Sequence, residues 1–227
     1  SLGIIGGGQL ALMLVEAANN RGIKVCVQTK SSNDPAGPKA DSLILADPLK
    51  VKGNRDLVKK CKKIIFENEW INIEKLNSID SNNIFVPSLK SIQPLVDRIS
   101  QKRLIERMNL PSSRWMTIKE FKSLEDKEKE DWNFPLMVKS YKGGYDGKGN
   151  KKIISKDDLN SFLLEANSDE WLIEEWVDYK NELALVGSRD IEGTIRFFPI
   201  VETFQNNNVC DWAFSPAEVN YDLKTFA

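Results

Sequence analysis

The 227-residue chain contains no histidine. That absence removes Ser-His-Asp and Cys-His catalysis, imidazole general bases and the usual zinc ligand sets together. Any chemistry here must rest on Lys, Arg, carboxylates, amides and backbone. Cysteine is almost as scarce: Cys26, Cys61 and Cys210 are too few and too scattered for a disulfide framework or a Cys-x-x-Cys metal site, which fits a reducing compartment. All three are expected to be core thiols. The sequence has no apolar run of about eighteen residues and no positively charged leader before a longer apolar stretch, so neither a membrane span nor an export signal is expected, and the expected location is the cytoplasm. An excess of charge of one sign is missing as well. With 32 Lys and Arg against 33 Asp and Glu, the net charge is −1, which leaves no basic field for nucleic acid and no polybasic tract for a membrane surface.

What remains is a globular composition, 41% hydrophobic, long enough for one large domain or two small ones. The chain opens on an apolar strand, Leu2 to Ile5, that runs into Gly6-Gly7-Gly8-Gln9-Leu10-Ala11 and a helix with Met13, Leu14 and Ala17 on one face. Lys24 to Gln28 reads as a second strand, completing a βαβ unit. Gly6, Gly8 and Ala11 satisfy the G-x-G-x-x-A dinucleotide pattern, yet the second strand ends in Gln28-Thr29 where a ribose-binding carboxylate should lie. A structural turn, a small-anion site and a dinucleotide site all remain open. Further strands are expected at Ser42 to Leu45, Lys63 to Phe66 and Ile84 to Val86, with a helix around Arg55 to Cys61. Glu67-Asn68-Glu69 follows one strand at its carboxyl end, where open parallel sheets place ligands; it is either a functional carboxylate cluster or a solvated loop before a helix at Ile71 to Ile79. One long amphipathic helix is expected from Ser91 to Met108, with Leu95, Ile99, Leu104 and Ile105 inward, stopped by Leu110-Pro111.

The most distinctive stretch runs from Leu136 through Lys139 and Lys142-Gly143-Gly144-Tyr145-Asp146-Gly147-Lys148-Gly149 to Asn150. An apolar strand ending in lysine, four glycines close together and a second strand describe a hairpin whose backbone N–H groups could close over an anion. A P-loop would need Gly-Lys followed by Ser or Thr and then a helix, whereas Lys148 precedes Gly149 and a strand. A Gly-rich solvent hairpin is the alternative. Lys139 ends what reads as an exposed edge strand. Beyond it come a capped helix to about Ala166, a strand Trp171 to Ile173 running into Glu174-Glu175-Trp176-Val177, and a hairpin pairing Glu182 to Ser188 with Thr194 to Phe198.

Taken in order, Gly-Gly-Gly-Gln-Leu at 6 to 10, the helix ending in Asn109-Leu110-Pro111, Lys-Gly-Gly-Tyr-Asp-Gly-Lys-Gly at 142 to 149 and Ile-Glu-Glu-Trp-Val at 173 to 177 resemble the ATP-grasp carboxylases of purine synthesis. The likeness is closest to the N5-carboxyaminoimidazole ribonucleotide synthetase family and runs to about residue 215. It implies an α/β protein with a Rossmann-like parallel-sheet pre-ATP-grasp domain at 1–110, the small lid subdomain of an ATP-grasp α+β domain at 111–185, and the start of its large subdomain at 186–227. The implied reaction is a carboxylate-amine ligation in which ATP activates bicarbonate as carboxyphosphate and 5-aminoimidazole ribonucleotide captures the carbon. The competing readings are another ATP-grasp ribonucleotide ligase, a non-catalytic nucleotide-binding fragment and an NAD(P)-binding oxidoreductase domain.

The resemblance implies that Arg98 and Lys139 contact ATP phosphates, that Gly144 to Asn150 forms the phosphate lid, and that Glu174, Glu175, Trp176 and Val177 form the adenine hinge. It places Glu182 on the ribose hydroxyls, and it assigns Tyr145, Asp146 and Lys148 to catalysis, with Tyr145 and Asp146 facing the aminoimidazole. Gln9, Leu10 and Glu69 are implied on the ribonucleotide. The family often carries histidine in a Pro-x-x-Glu-x-x-His stretch; here Pro199 and Glu202 lead to Gln205, an amide that keeps a hydrogen bond but no charge. The implied Mg2+ ligands would lie beyond residue 227, so a chain of this length is expected to be incomplete for turnover. A homodimer through the first domain is the implied assembly, with no nucleic-acid or membrane partner.

Overall fold

Strand and helix alternate through Ser1–Ser112, the first of two units into which the chain divides; Ser113–Ala227 forms the second. The computed structural model describes residues 1–80, 82–144, 149–206 and 209–220. In the first unit β1 (Leu2–Ile5), α1 (Gln9–Asn19), β2 (Val25–Thr29), β3 (Ser42–Leu45), α2 (Val51–Lys60) and β4 (Lys63–Phe66) follow one another. The strands form a parallel sheet in the order β3-β2-β1-β4. Because a strand turns successive side chains to opposite faces, each strand feeds two cores. Ile4, Val25 and Val27 meet Ala11, Val15 and Ala18 of α1, while Ile5, Cys26, Ile44 and Ile64 meet Leu57 of α2.

The same alternation sends Gln28 into the α2 face. Its side chain is fully buried, accepts a 2.9 Å bond from the Asn54 amide and donates to the Asp47 carbonyl at 3.0 Å. Asn54 donates in turn to the Pro48 carbonyl at 3.0 Å. Gln28, which stands where a dinucleotide-binding protein carries its ribose carboxylate, is thus tied into the core.

Three expectations in this unit are corrected. The strand expected at Ile84 to Val86 is a single parallel bridge, Phe85 to Ile64, flanked by two backbone bonds. The helix expected at Ile71 to Ile79 shortens to α3 (Ile73–Asn77), capped by the Asn72 side chain. The long helix expected from Ser91 to Met108 is broken into α4 (Leu89–Ile92), a 3-10 turn over Gln93–Leu95 and α5 (Arg98–Arg107). Pro94 removes an N–H and clashes with the preceding turn, and Asp97 restarts the helix as an N-cap accepting from the Ser100 N–H at 2.8 Å. Leu95, placed inward by helical periodicity, is 45% exposed.

The second unit begins with β5 (Trp115–Thr117), α6 (Ile118–Ser123), α7 (Asp126–Glu130), β6 (Leu136–Ser140), β7 (Asn150–Ile153), α8 (Lys156–Glu165) and β8 (Trp171–Glu175). Its antiparallel sheet has the order β5-β8-β6-β7. Leu136, Val138, Ile153 and Ile173 pack against Ile118, Phe121, Trp132, Leu159 and Phe162. The charged run at Asp126 to Glu130 is helical, opened by a capping box between Glu125 and Glu128. Strands β9 (Glu182–Ala184), β10 (Gly187–Arg189), β11 (Ile195–Phe197), β12 (Val201–Asn206) and β13 (Val209–Phe214) complete the described residues. The expected hairpin splits: β10 pairs with β11, whereas β9 joins β12 and β13. Cys26 and Cys61 are buried as expected, but Cys210 is exposed on β13.

Asn54→Ala is expected to cost about 1–3 kcal/mol of stability by orphaning the buried Gln28 carbonyl, read as a lower urea midpoint with an unchanged slope.

Candidate functional site

The glycine turn between β1 and α1 is built around a carboxylate. Glu67, the residue after β4, accepts a bond from the Gly8 N–H at 3.0 Å. A Cβ placed on Gly6 or Gly8 would come within 2.3 Å of a Glu67 oxygen, and one on Gly7 within 2.2 Å of the Thr29 hydroxyl. Gly6 also has φ +113°, a conformation side chains rarely adopt. The glycines are therefore required by close packing, and the position where a pyrophosphate would lie against the start of α1 holds the protein's own negative charge. With Gln28 buried, the turn fits neither a dinucleotide nor a small anion. Of the three readings left open by the sequence, the structural turn is the one this geometry supports.

Beside the turn lies a cavity of about 210 Å³ lined by Gly6, Thr29, Asp34, Asp47, Glu67 and Trp70 among others. Lys30 on its wall pairs with Asp47 at 3.2 Å, and Thr29 donates to Asp34. Gln9 and Leu10 stand exposed at the start of α1, and Glu69 is exposed in the loop after β4. Neither Gln9, Leu10 nor Glu69 lines the cavity. Of the Glu67–Glu69 cluster, Glu67 is the carboxylate that sits on the glycine turn. Arg98 is the first residue of α5.

In the second unit the hairpin lysine lies on an internal strand. β6 runs between β8 and β7, which corrects the reading of Lys139 as the end of an edge strand. Register places Met137 opposite Glu174 and Lys139 opposite Leu172, so Lys139 and Glu174 share one sheet face on a diagonal. Their side chains form an ion pair, 27% and 6% exposed respectively. Ser113 donates to the other Glu174 oxygen at 3.1 Å. On the same face Lys152 sits 3.9 Å from the centre of the Trp176 ring, a cation–π distance. Glu175 faces the other way, 3.7 Å from Arg114, whose guanidinium stacks over Trp132 at 4.4 Å. Val177 is exposed past the strand end.

Glu182 and Gln205, separated in sequence, meet across β9 and β12: the Gln205 amide and the Thr203 hydroxyl both donate to Glu182 Oε1 at 2.7 Å. The hairpin stems close as expected, with Lys139 opposite Asn150 and the Ser140 N–H donating to the Gly149 carbonyl at 2.7 Å. Gly149 has φ +78°, and a Cβ there would meet the Ser140 hydroxyl at 2.2 Å. Gly144 is the last described residue on the entering side. Tyr145, Asp146, Gly147 and Lys148, the expected catalytic and lid residues, lie outside the described residues. Among the described residues no group of three or more Cys, Asp or Glu side chains is placed to hold a metal ion, and no helix is long and apolar enough to cross a membrane.

A model of the ATP-grasp domain matches residues 103–227, and one of the ribonucleotide synthetase preATP-grasp domain matches residues 1–95. The chain is 35% identical over 221 residues to N5-carboxyaminoimidazole ribonucleotide synthase of Synechocystis sp., an alignment covering 97% of this chain and 55% of the relative. Its fold is similar to the crystal structure of the Staphylococcus aureus N5-carboxyaminoimidazole synthetase complexed with ADP, with TM-score 0.90 and 30% identity over 99% of this chain and 60% of that one. It is also similar to the Aspergillus clavatus N5-carboxyaminoimidazole synthase in complex with ADP and 5-aminoimidazole ribonucleotide, with TM-score 0.83 and 26% identity over 100% and 59% of the two chains. The chain spans little more than half the length of the curated relatives it matches.

Removing Lys139 takes away the cation paired with the buried Glu174 carboxylate. Lys139→Ala is expected to cost on the order of 3–5 kcal/mol, and adding Glu174→Gln to recover part of that loss. A double-mutant cycle by chemical unfolding reads the coupling; additive losses would show that the pair contributes nothing.

Proposed function

The chain belongs to the ATP-grasp family, and from that premise we propose that it forms the amino-terminal portion of an ATP-dependent carboxylase of 5-aminoimidazole ribonucleotide. The proposed reaction consumes bicarbonate and ATP through carboxyphosphate and yields N5-carboxyaminoimidazole ribonucleotide, ADP and phosphate, a step of purine biosynthesis in the cytosol. The domain assignment we propose is 1–110 for the pre-ATP-grasp domain, 111–185 for the lid subdomain and 186–227 for the start of the large subdomain. A homodimer is the proposed assembly.

The observation that carries this reading is the Lys139–Glu174 pair on one face of the small sheet, at the base of the glycine hairpin. A cation locked by a buried carboxylate has lost its side-chain freedom before any ligand arrives, so it can contact a phosphate with little further ordering cost. Glu174, Glu175, Trp176 and Val177 would lie along the adenine, with Trp176 supplying a flat apolar surface. Glu182, its Oε1 held by Thr203 and Gln205, would accept from a ribose hydroxyl through its second oxygen. Arg98 would meet the phosphates at the amino terminus of α5, where the helix dipole and the guanidinium have the same sign. The lid, Gly144 to Asn150, would cover the phosphates and exclude water from an unstable acyl phosphate. Tyr145, Asp146 and Lys148 take the catalytic roles in this proposal, and Gln9, Leu10 and Glu69 the ribonucleotide contacts. ATP would supply the phosphoryl group that activates bicarbonate. No described residue is assigned to Mg2+.

Nucleotide binding tests the reading directly. ATP is expected to raise the unfolding temperature through mass action and NAD+ to leave it unchanged, because Glu67 fills the dinucleotide position; the reverse result would favour the oxidoreductase reading. Lys139→Ala, titrated with ATP below its own unfolding temperature, is expected to lose about 1.5–3 kcal/mol of affinity. Asp146→Asn, in a form of the enzyme that turns over, is expected to keep ATP affinity and lose turnover with aminoimidazole ribonucleotide. Equal loss of ATP affinity would move Asp146 from the substrate to the phosphates.

A further inference from the structure

Two of the three cysteines meet in the core of the first unit. Cys26 lies within β2 and Cys61 is the residue that ends α2. They are 3% and 7% exposed and belong to the same apolar cluster. Their meeting depends on Gly3. It sits directly beside Cys26 in the sheet, and a Cβ on it would stand 3.1 Å from the Cys61 sulfur. With no side chain on β1 at that point, the Cys61 thiol has room to reach across the strand toward Cys26, a member of the same apolar cluster. Ser42 stands directly opposite Cys26 on β3.

We propose that Cys26 and Cys61 are a reversible oxidation site, closing to a disulfide that ties β2 to the end of α2. The oxidant is a two-electron one of the peroxide class. The Cys26 sulfur attacks a peroxide oxygen, the O–O bond breaks, and a sulfenic acid forms with loss of the first water. The Cys61 sulfur then displaces the second water, so that two thiols and one hydrogen peroxide become one disulfide and two waters. The neighbouring Cys61 thiol, with help from Ser42 and the charge of Lys60, lowers the Cys26 thiol to about 6 against the opposing effect of burial, and the same proximity pushes the Cys61 thiol up. Cys26 is accordingly the attacking sulfur and Cys61 the resolving one. Burial makes the reaction slow and dependent on opening of this unit. Cys210, exposed on β13 of the second unit, serves as an internal control.

The test is a thiol map. Folded protein is incubated with hydrogen peroxide until no further change, then unfolded, alkylated with N-ethylmaleimide and weighed intact. The expected product is lighter by about 2 Da before alkylation, takes one maleimide in place of three, and yields a linked Cys26–Cys61 peptide that dithiothreitol separates. Cys210→Ser, which leaves the core untouched, should keep the linked peptide and take no maleimide; Cys61→Ser should abolish it. Three maleimides after prolonged oxidation of the folded protein, a disulfide that includes Cys210, or oxidation of Cys26 to the sulfonic acid with Cys61 still free would each overturn the proposal. Nucleotide binding is not part of the readout, so the result stands apart from the functional assignment.

Discussion

The ion pair between Lys139 and Glu174 sets the architecture of the second unit. A carboxylate this deeply buried is tolerated only with a cation and further donors around it, and each of those donors comes from a different place. Lys139 is delivered by β6, Ser113 by the segment entering the unit, and Glu174 itself by β8. For all three to converge, β8 must lie between β5 and β6 in the register observed. The hairpin of β6 and β7 is then fixed at its base by the pairing of β6 with β8.

In the first unit the corresponding constraint is the carboxylate of Glu67 against the glycine turn. The motif Gly6, Gly8 and Ala11 has the spacing associated with pyrophosphate binding, and a reading limited to spacing leaves that function open. What decides against it is a residue far away in sequence, at the end of β4, and another, Gln28, committed to Asn54. The same glycines that make room for a ligand in one protein make room here for a side chain.

Much of this was legible from the residues. Strand positions in the first sheet followed from short apolar runs, and the hairpin stem from Lys139 and Asn150 flanking the glycines. The long helix was misread because periodicity over Ser91 to Met108 outweighed Pro94 and the Asp97 cap. Lys139 was placed on an edge because strand order depends on pairings distant in sequence: β8 reaches β6 only after α8 intervenes. The Cys26–Cys61 contact and the Glu67 seal were invisible for the same reason, since each is made by residues from separate crossovers meeting over a glycine. The Glu182–Gln205 bond was only half visible. Both residues were named for the nucleotide, but nothing local indicated that they would hold each other.

That last bond has a consequence for how the site responds to its surroundings. An imidazole in the position of Gln205 would change charge near neutrality and alter its grip on Glu182 as it did so. A carboxamide has no proton to gain or lose over that range. The contact from Gln205 to Glu182 therefore rests on a donor that does not titrate near neutrality. In a chain without a single histidine, this corner of the fold is held by an amide where an imidazole would act as a switch.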